Sequence, residues 1–439
     1  MLSPRSQCLT ELIRDLAQMG LVVLHGYHSY PEEISSDVDV LGPADVLRRL
    51  TELVLSDRYR VVQLLQHETS CFYWVFWLQA PGGVSEFLQL DFASDYRRNG
   101  RVFYRADELI PHRLMHNGLI PVLPPSLEFG YYIIKKVCKG VLTDEQGRRL
   151  TALYREAPDG CKAELARFFS GPDLALIQGA ARTGQWASVR HHLRQIRRRL
   201  LRRMLIRRPW ATLAYYVGEV KRLIRRIVRP TGLVVAFYGL DGSGKSTVVQ
   251  HVAADILPAF RRVEKHHLRP SLGLTRSRGS GASVTSPHSK PSRGAVMSVA
   301  KLGYWFAEYW LGWIGRVFPA KVRSTLVIFD RFYHDVIVDA TRYRYGGSRW
   351  LARVLGRLIP RPDLSIILDV PAEVAQSRKL EVSLEDARLL RDGYLALARE
   401  FNAHVVDASR SLREVVADVE HIILNHMAER TRRRLGAIL

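Results

Sequence analysis

Nine consecutive residues, Gly239-Leu240-Asp241-Gly242-Ser243-Gly244-Lys245-Ser246-Thr247, have the types and spacing needed to hold a polyphosphate. Glycines let the backbone turn tightly, so that successive N–H groups converge on phosphate oxygens at a helix N-terminus that already favours anions. Lys245 is placed to reach the terminal phosphates, and the Ser246 hydroxyl to join a Mg²⁺ shell. The apolar run 233–238 just before reads as a buried strand, and 248–253 just after as a helix. Strand, glycine-rich turn, Gly-Lys-Ser-Thr and helix together make a P-loop. The chain is expected to bind a nucleoside triphosphate.

A second group follows the apolar run 326–329, where Asp330-Arg331-Phe332-Tyr333 closes a predicted strand. A carboxylate at a strand's C-terminal end, beside a P-loop in a parallel sheet, is placed to hold Mg²⁺ or to take a proton from the attacking oxygen. Arg331 adds a planar donor fork for a phosphate.

From the P-loop, Asp330-Arg331-Phe332 and the later run from Leu368-Asp369-Val370-Pro371 into Gln376-Ser377-Arg378-Lys379, residues 233–427 resemble the thymidylate kinase family of nucleoside-monophosphate kinases. The resemblance implies a P-loop fold, ATP and Mg²⁺ as cofactors, and phosphoryl transfer to a phosphorylated small-molecule acceptor. It places Arg378, with Lys379 beside it, on a lid over the ATP phosphates. The alternative for Arg378 is a solvated helix residue. Arg269-Pro270 stands where the family has an Arg-Glu-Pro-Gly segment that contacts the acceptor phosphate, here without the Glu. After Asp330-Arg331 the family carries a Ser-x-x-Ala-Tyr-Gln type segment. This chain instead reads from His334 to Tyr345, with Asp335, Asp339 and Arg342 spaced to share one helical face. That face suits a polar or phosphorylated acceptor at least as well as thymine, or it is a structural salt-bridge row. Arg269, Arg331, Asp335 and Arg342 are the acceptor-side candidates.

A third group lies near the N-terminus. His25-Gly26 follows a short predicted strand, and Asp37-Val38-Asp39 opens the next, with both carboxylates on one strand face. Asp91, in Leu88-Gln89-Leu90-Asp91-Phe92, could add a third. Clustered carboxylates need cations and suit Mg²⁺. Residues 8–120 thereby resemble the polymerase-β type of nucleotidyltransferase, in which such aspartates hold metals and a nucleotide. The family's Gly-Ser reads Gly26-Tyr27 here, leaving either an enzyme or a binding module.

These groups require elements that position them. In the first 120 residues, helices are predicted over 10–19 and 43–55, and strands over 21–24, 37–41, 59–65, 71–78 and 85–92, making an α+β unit with a mixed sheet. Residues 126–229 read as helical, and 194–208 as a strongly basic helix. That helix either packs its apolar stripe on a domain with arginines in solvent, or lies on an anionic membrane surface. A Ser/Gly/Pro-rich loop spans 276–293, an aromatic-rich helix 304–317, and further buried strands 364–368 and 404–406. The expected fold class is α/β: a C-terminal P-loop domain with a helix-flanked parallel sheet, an N-terminal α+β nucleotidyltransferase-like domain, and a helical linker. The expected boundaries are 1–122, 123–229, 230–427 and a basic tail at 428–439.

At 439 residues and 47% apolar composition the chain is globular and exceeds one ordinary core. Its net charge of +22 favours polyanionic partners. No regular basic and aromatic interleaving marks a nucleic-acid groove, so nucleic acid ranks below a membrane surface. Four widely spaced cysteines with no C-x-x-C pair argue against a disulfide scaffold or a zinc site and fit a reducing cytoplasm. No secretion signal or apolar span is visible, and the expectation is a cytoplasmic protein, peripheral to a membrane if the basic helix lies on one.

Overall fold

A computed structural model describes residues 3–80, 83–207, 209–270, 292–379 and 382–436. The expected Ser/Gly/Pro-rich loop therefore lies, up to residue 291, outside the described residues. The chain forms two compact units: one from the residues before 81, Glu86–Ile224 and Arg430 onward, the other from Arg225–Glu429 with the short segment ending at Ser85.

In the first unit, strands β1 (Val22–Val23), β2 (Val38–Leu41), β3 (Val61–Glu68), β4 (Cys71–Gln79) and β5 (Ser85–Ala93) follow the expected order. A hairpin of β6 (Asp95–Arg98) and β7 (Arg101–Arg105) comes next, then β8 (Leu114–His116) and β9 (Ile120–Val122). The seven-stranded sheet runs β3-β4-β5-β2-β1-β9-β8 and is mixed, with β2 parallel to β5 and β1 parallel to β9. Helix Pro4–Leu16 starts earlier than predicted because the Ser3 side chain caps it, accepting from the Ser6 N–H at 3.2 Å. It buries Leu9, Leu12, Ile13 and Leu16, the stripe that the sequence shows. Strands β6 to β9 escaped prediction because they are short, and β6 reads Asp-Tyr-Arg-Arg, which carries no apolar alternation.

Five helices follow: Pro125–Lys139, Asp144–Glu156, Pro158–Phe168, Gly171–Thr183 and Ala187–Arg207. Ile133, Ile134, Val137, Leu150, Ile177 and Leu200 share one core with Leu24 and Leu41 of the sheet side. The Arg-rich helix buries Val189, Leu193, Ile196, Leu200 and Met204, one per turn, while Ile206 stays exposed. Its apolar stripe thus packs on the unit. The next helix, Pro209–Val228, does the reverse in its described part: Trp210, Leu213, Val217, Val220 and Ile224 are exposed at helical spacing.

The second unit is a five-stranded, wholly parallel sheet ordered β11-β12-β10-β13-β14, from β10 (Leu233–Tyr238), β11 (Arg262–His267), β12 (Thr325–Asp330), β13 (Leu364–Asp369) and β14 (His404–Asp407). Helices flank it, as the expected α/β P-loop architecture requires. Every residue of central β10 is buried. Strand β11 was missed because its sequence, Arg-Val-Glu-Lys-His-His, has the charged character of an edge strand. The aromatic-rich helix begins at Ala295 and runs to Gly312, continued by a π-helical turn at Trp313–Val317. Its first turns expose Val296 and Met297, so no apolar stripe marks the start. Among the described residues, no helix is long and apolar enough to cross a membrane.

Candidate phosphoryl-transfer site

The site grows from the C-terminal ends of β10 and β12, which lie side by side with Phe237 opposite Asp330. Between β10 and helix Lys245–Asp255 the chain turns through Gly239, Gly242 and Gly244, with φ of 138°, 84° and 82°. These values belong to glycine. A Cβ on Gly242 would also sit 2.4 Å from the Ala375 carbonyl oxygen, and one on Gly239 2.5 Å from that of Leu368. The loop is therefore fixed by tight backbone packing as well as by its own turn.

Lys245 opens the helix, with Ser246 and an exposed Thr247 in the same turn. The buried Lys245 ammonium donates to the carbonyls of Gly239 (2.8 Å) and Leu240 (2.6 Å), with Ser243 Oγ at 3.5 Å. Burial, reinforced by the nearby Arg331 charge, pushes it down to about 7. Ser246 Oγ donates to Asp330 Oδ2 at 3.3 Å, while the buried Asp330 Oδ1 has no hydrogen-bond partner among the described residues. A hydroxyl beside a carboxylate with an unsatisfied oxygen fits Mg²⁺, an oxygen-seeking cation that takes few protein ligands. Arg378, the last residue of helix Ala372–Arg378, donates to the Gly242 carbonyl at 3.4 Å, which brings it to the loop.

Arg331 follows β12 with φ of 68° and is almost wholly buried. It donates to Asp335 Oδ2 (2.7 Å), Tyr394 Oη (2.9 Å) and Asp241 Oδ1 (2.7 Å). Asp335, fully buried, also accepts from the hydroxyls of Tyr343 and Tyr394, each at 2.6 Å. Burial alone would raise the Asp335 carboxyl, but Arg331 and the two tyrosines outweigh it and hold it below the usual carboxylate value. Arg342 donates to Asp241 Oδ2 at 2.7 Å and pairs with Asp339. The row Asp335, Asp339 and Arg342 therefore forms a charge network that ties the P-loop aspartate to the end of β12. Arg269 pairs with Glu308 and lies 5.4 Å from the Trp305 ring centroid. Lys301 lies 4.6 Å from the same ring and donates to the Tyr343 carbonyl at 2.6 Å. Burial, then the crowding of Arg293, Arg269 and Arg344, pushes Lys301 down to about 8. Sequence reasoning missed Lys301 and Tyr394, which lie in no local motif, and gave Tyr343 and Arg344 no role although they fall within the His334 to Tyr345 segment.

The family model for thymidylate kinase matches residues 237–419, within this unit. The thymidylate kinase of Ruegeria pomeroyi is 33% identical over 230 residues, spanning 46% of this chain and 99% of that protein. A probable thymidylate kinase of Pyrobaculum aerophilum is 30% identical over 197 residues, 43% of this chain and 95% of that protein. Probable thymidylate kinase 1 of Saccharolobus solfataricus is 28% identical over 211 residues, 44% of this chain and 98% of that protein. The chain belongs to the thymidylate kinase family. It is a P-loop enzyme, an ATP-dependent phosphotransferase of the nucleoside-monophosphate-kinase type. The thymidylate kinase match accounts for the site at β10 and β12 and leaves the first unit to be read from its own residues.

There, Asp39 on β2 lies opposite Asp91 on parallel β5, and Asp37 sits exposed just before β2. The expected carboxylates are thus neighbours. Lys135, from helix Pro125–Lys139, donates to both Asp39 oxygens at 3.0 Å, and its Nζ lies 2.7 Å from His25 Nε2. Burial would raise Asp39, but the hydrogen bond from His25 and the Lys135 charge hold it well below the carboxylate range. Asp91 accepts from the Cys71 thiol at 2.9 Å, and burial pushes its carboxyl up to about 6. With both Asp39 oxygens committed to an internal ammonium and a thiol beside Asp91, the set does not present the hydrated, all-oxygen site that Mg²⁺ takes. A lysine on the same helix face as Tyr131 and Cys138, four and three positions away, was the available sequence signal for this cation.

Proposed function

We propose that the second unit transfers the γ-phosphoryl group of ATP to a polar, phosphorylated small molecule whose body differs from thymidine. The loop of Gly239, Asp241, Gly242, Ser243 and Gly244, with Lys245, Ser246 and Thr247, would cradle the donor phosphates. Ser246 and Asp330 would hold Mg²⁺, which when bound shields phosphate charge and orients the transferring group. Arg378 would meet charge that develops on that group, a role suited to a guanidinium at the loop. Arg331, Arg269 and Arg342 would fix the acceptor side, with Asp335 acting through Arg331 because its carboxylate is saturated from within.

The observation that carries this reading is the pairing of Ser246 with Asp330 across a P-loop that Arg378 also touches. The acceptor class is supported by the cations crowded around Lys301 and Arg269, which suit a phosphate. We read the first unit as a nucleotidyltransferase-like binding module, a role supported by the Lys135 ammonium at Asp39. The exposed apolar face of helix Pro209–Val228, in a chain of net charge +22, supports work at an anionic membrane surface.

The test is phosphoryl transfer from ATP by the full chain with Mg²⁺, to dTMP, other nucleoside monophosphates, sugar phosphates and polyprenyl phosphates. The expected result is a phosphorylated acceptor other than dTMP with the highest kcat/KM, and loss of turnover in Lys245→Ala. Preference for dTMP would overturn the acceptor class and leave phosphotransfer standing.

A further inference from the structure

Three residues from three adjacent strands of the first unit converge outside the phosphoryl-transfer site: His67 on β3, Cys71 on β4 and Asp91 on β5. One ligand atom from each, an imidazole nitrogen, the thiol sulfur and a carboxylate oxygen, lies within 4.8 Å of the other two. All three side chains are half-buried. We propose that His67, Cys71 and Asp91 bind a transition-metal ion of the zinc type.

The strand geometry places the histidine there. In the β3–β4 hairpin, Gln66 faces Phe72 and Glu68 faces Cys71, which leaves His67 as the extra residue of a β-bulge. A bulge re-aims one side chain without breaking the pairing on either side, and the His67 ring is then steadied by stacking on Tyr73 at 5.1 Å. Cys71 and Asp91 are already held together by the thiol's hydrogen bond to Oδ1 at 2.9 Å. Both atoms belong to a common coordination sphere once the thiol proton is replaced by a cation.

The donor set selects the metal. One nitrogen, one sulfur and one oxygen suit Zn²⁺ and its relatives, whereas Mg²⁺ takes oxygen alone. Binding forms the Cys71 sulfur–metal bond and releases one thiol proton to solvent. A neutral imidazole, a thiolate and a carboxylate carry two negative charges, which a divalent ion cancels. Three protein ligands leave the fourth tetrahedral position open to water or an anion, the layout of a reactive zinc site. This site runs against the sequence expectation, which takes the lack of C-x-x-C spacing as an argument against zinc; that spacing does not bear on ligands gathered by sheet pairing rather than by sequence proximity.

The experiment uses the full chain, stripped with a chelator and titrated with Co²⁺ and then Zn²⁺. The expected result is one Co²⁺ per chain with a thiolate-to-cobalt charge-transfer band, displaced by Zn²⁺ and insensitive to excess Mg²⁺. Cys71→Ser should remove the band, and His67→Ala and Asp91→Asn should each weaken Co²⁺ binding by more than about 100-fold, beyond the roughly 10- to 100-fold that loss of an outer-shell partner costs. The exposed His112→Ala should bind as wild type. Circular dichroism establishes that each variant is folded. A wild-type chain without the band, or a band that survives in folded Cys71→Ser, would overturn the site. Retained Co²⁺ binding in His67→Ala together with its loss in His112→Ala would show an adventitious surface histidine only, and would overturn it equally.

Discussion

At the scale of single residues, the second unit's chemistry depends on groups held in unusual states. Lys245, pushed down to about 7, is mostly neutral above that pH in the free protein. ATP phosphates favour the charged ammonium, so nucleotide binding above pH 7 should take up a proton. Calorimetry in buffers of different ionisation enthalpy should detect this uptake, which should fade as the pH falls below 7; heats independent of buffer would contradict it. Arg378→Ala should lower kcat by about 10²–10³-fold, the usual cost of losing a donor aimed at developing charge, and change ATP affinity little. An unchanged kcat would leave Arg378 as a solvated helix residue. The P-loop residues were legible in the sequence because their chemistry is local. The burial of Asp335 was not, since its partner Tyr394 lies 59 residues away.

At the scale of elements, the P-loop turn and the end of β12 behave as one assembly. Asp241, Arg331, Asp335, Arg342 and Tyr394 are linked from four separate stretches of chain. Asp335→Asn would leave the Arg331 guanidinium buried without its full counter-charge, and should cost about 3–5 kcal/mol in urea unfolding. A loss near zero would show that the network carries little stability. Gly242→Ala, at φ of 84° and against the Ala375 carbonyl, should destabilise by more than about 1 kcal/mol and weaken ATP binding. The buried strands β10, β12 and β13 were readable as apolar runs followed by chemistry. Edge strand β11 and the short β6 to β9 were not, because pairing with neighbours, rather than their own residues, makes them strands.

At the scale of the whole molecule, much of the positive charge sits in the two successive helices Ala187–Arg207 and Pro209–Val228. Helix Ala187–Arg207 buries its apolar stripe, while Pro209–Val228 leaves Leu213, Val217 and Val220 exposed. The sequence located the basic stretch correctly but not the exposed apolar face, which lies on the next helix. Sedimentation with anionic vesicles should bind the full chain in a salt-sensitive way, and Leu213→Asp with Val220→Asp should release it. Equal binding to neutral vesicles, or none to anionic ones, would contradict a charged membrane surface as partner.

At the site of β10 and β12, phosphate is expected to move from ATP to an acceptor. The most direct measurement follows label from γ-labelled ATP into the acceptor panel, comparing wild type with Lys245→Ala and Asp330→Asn after each variant is shown to be folded. The expected result is one acceptor that takes up label with wild type and with neither variant. Label transfer that persists undiminished in both folded variants would contradict it.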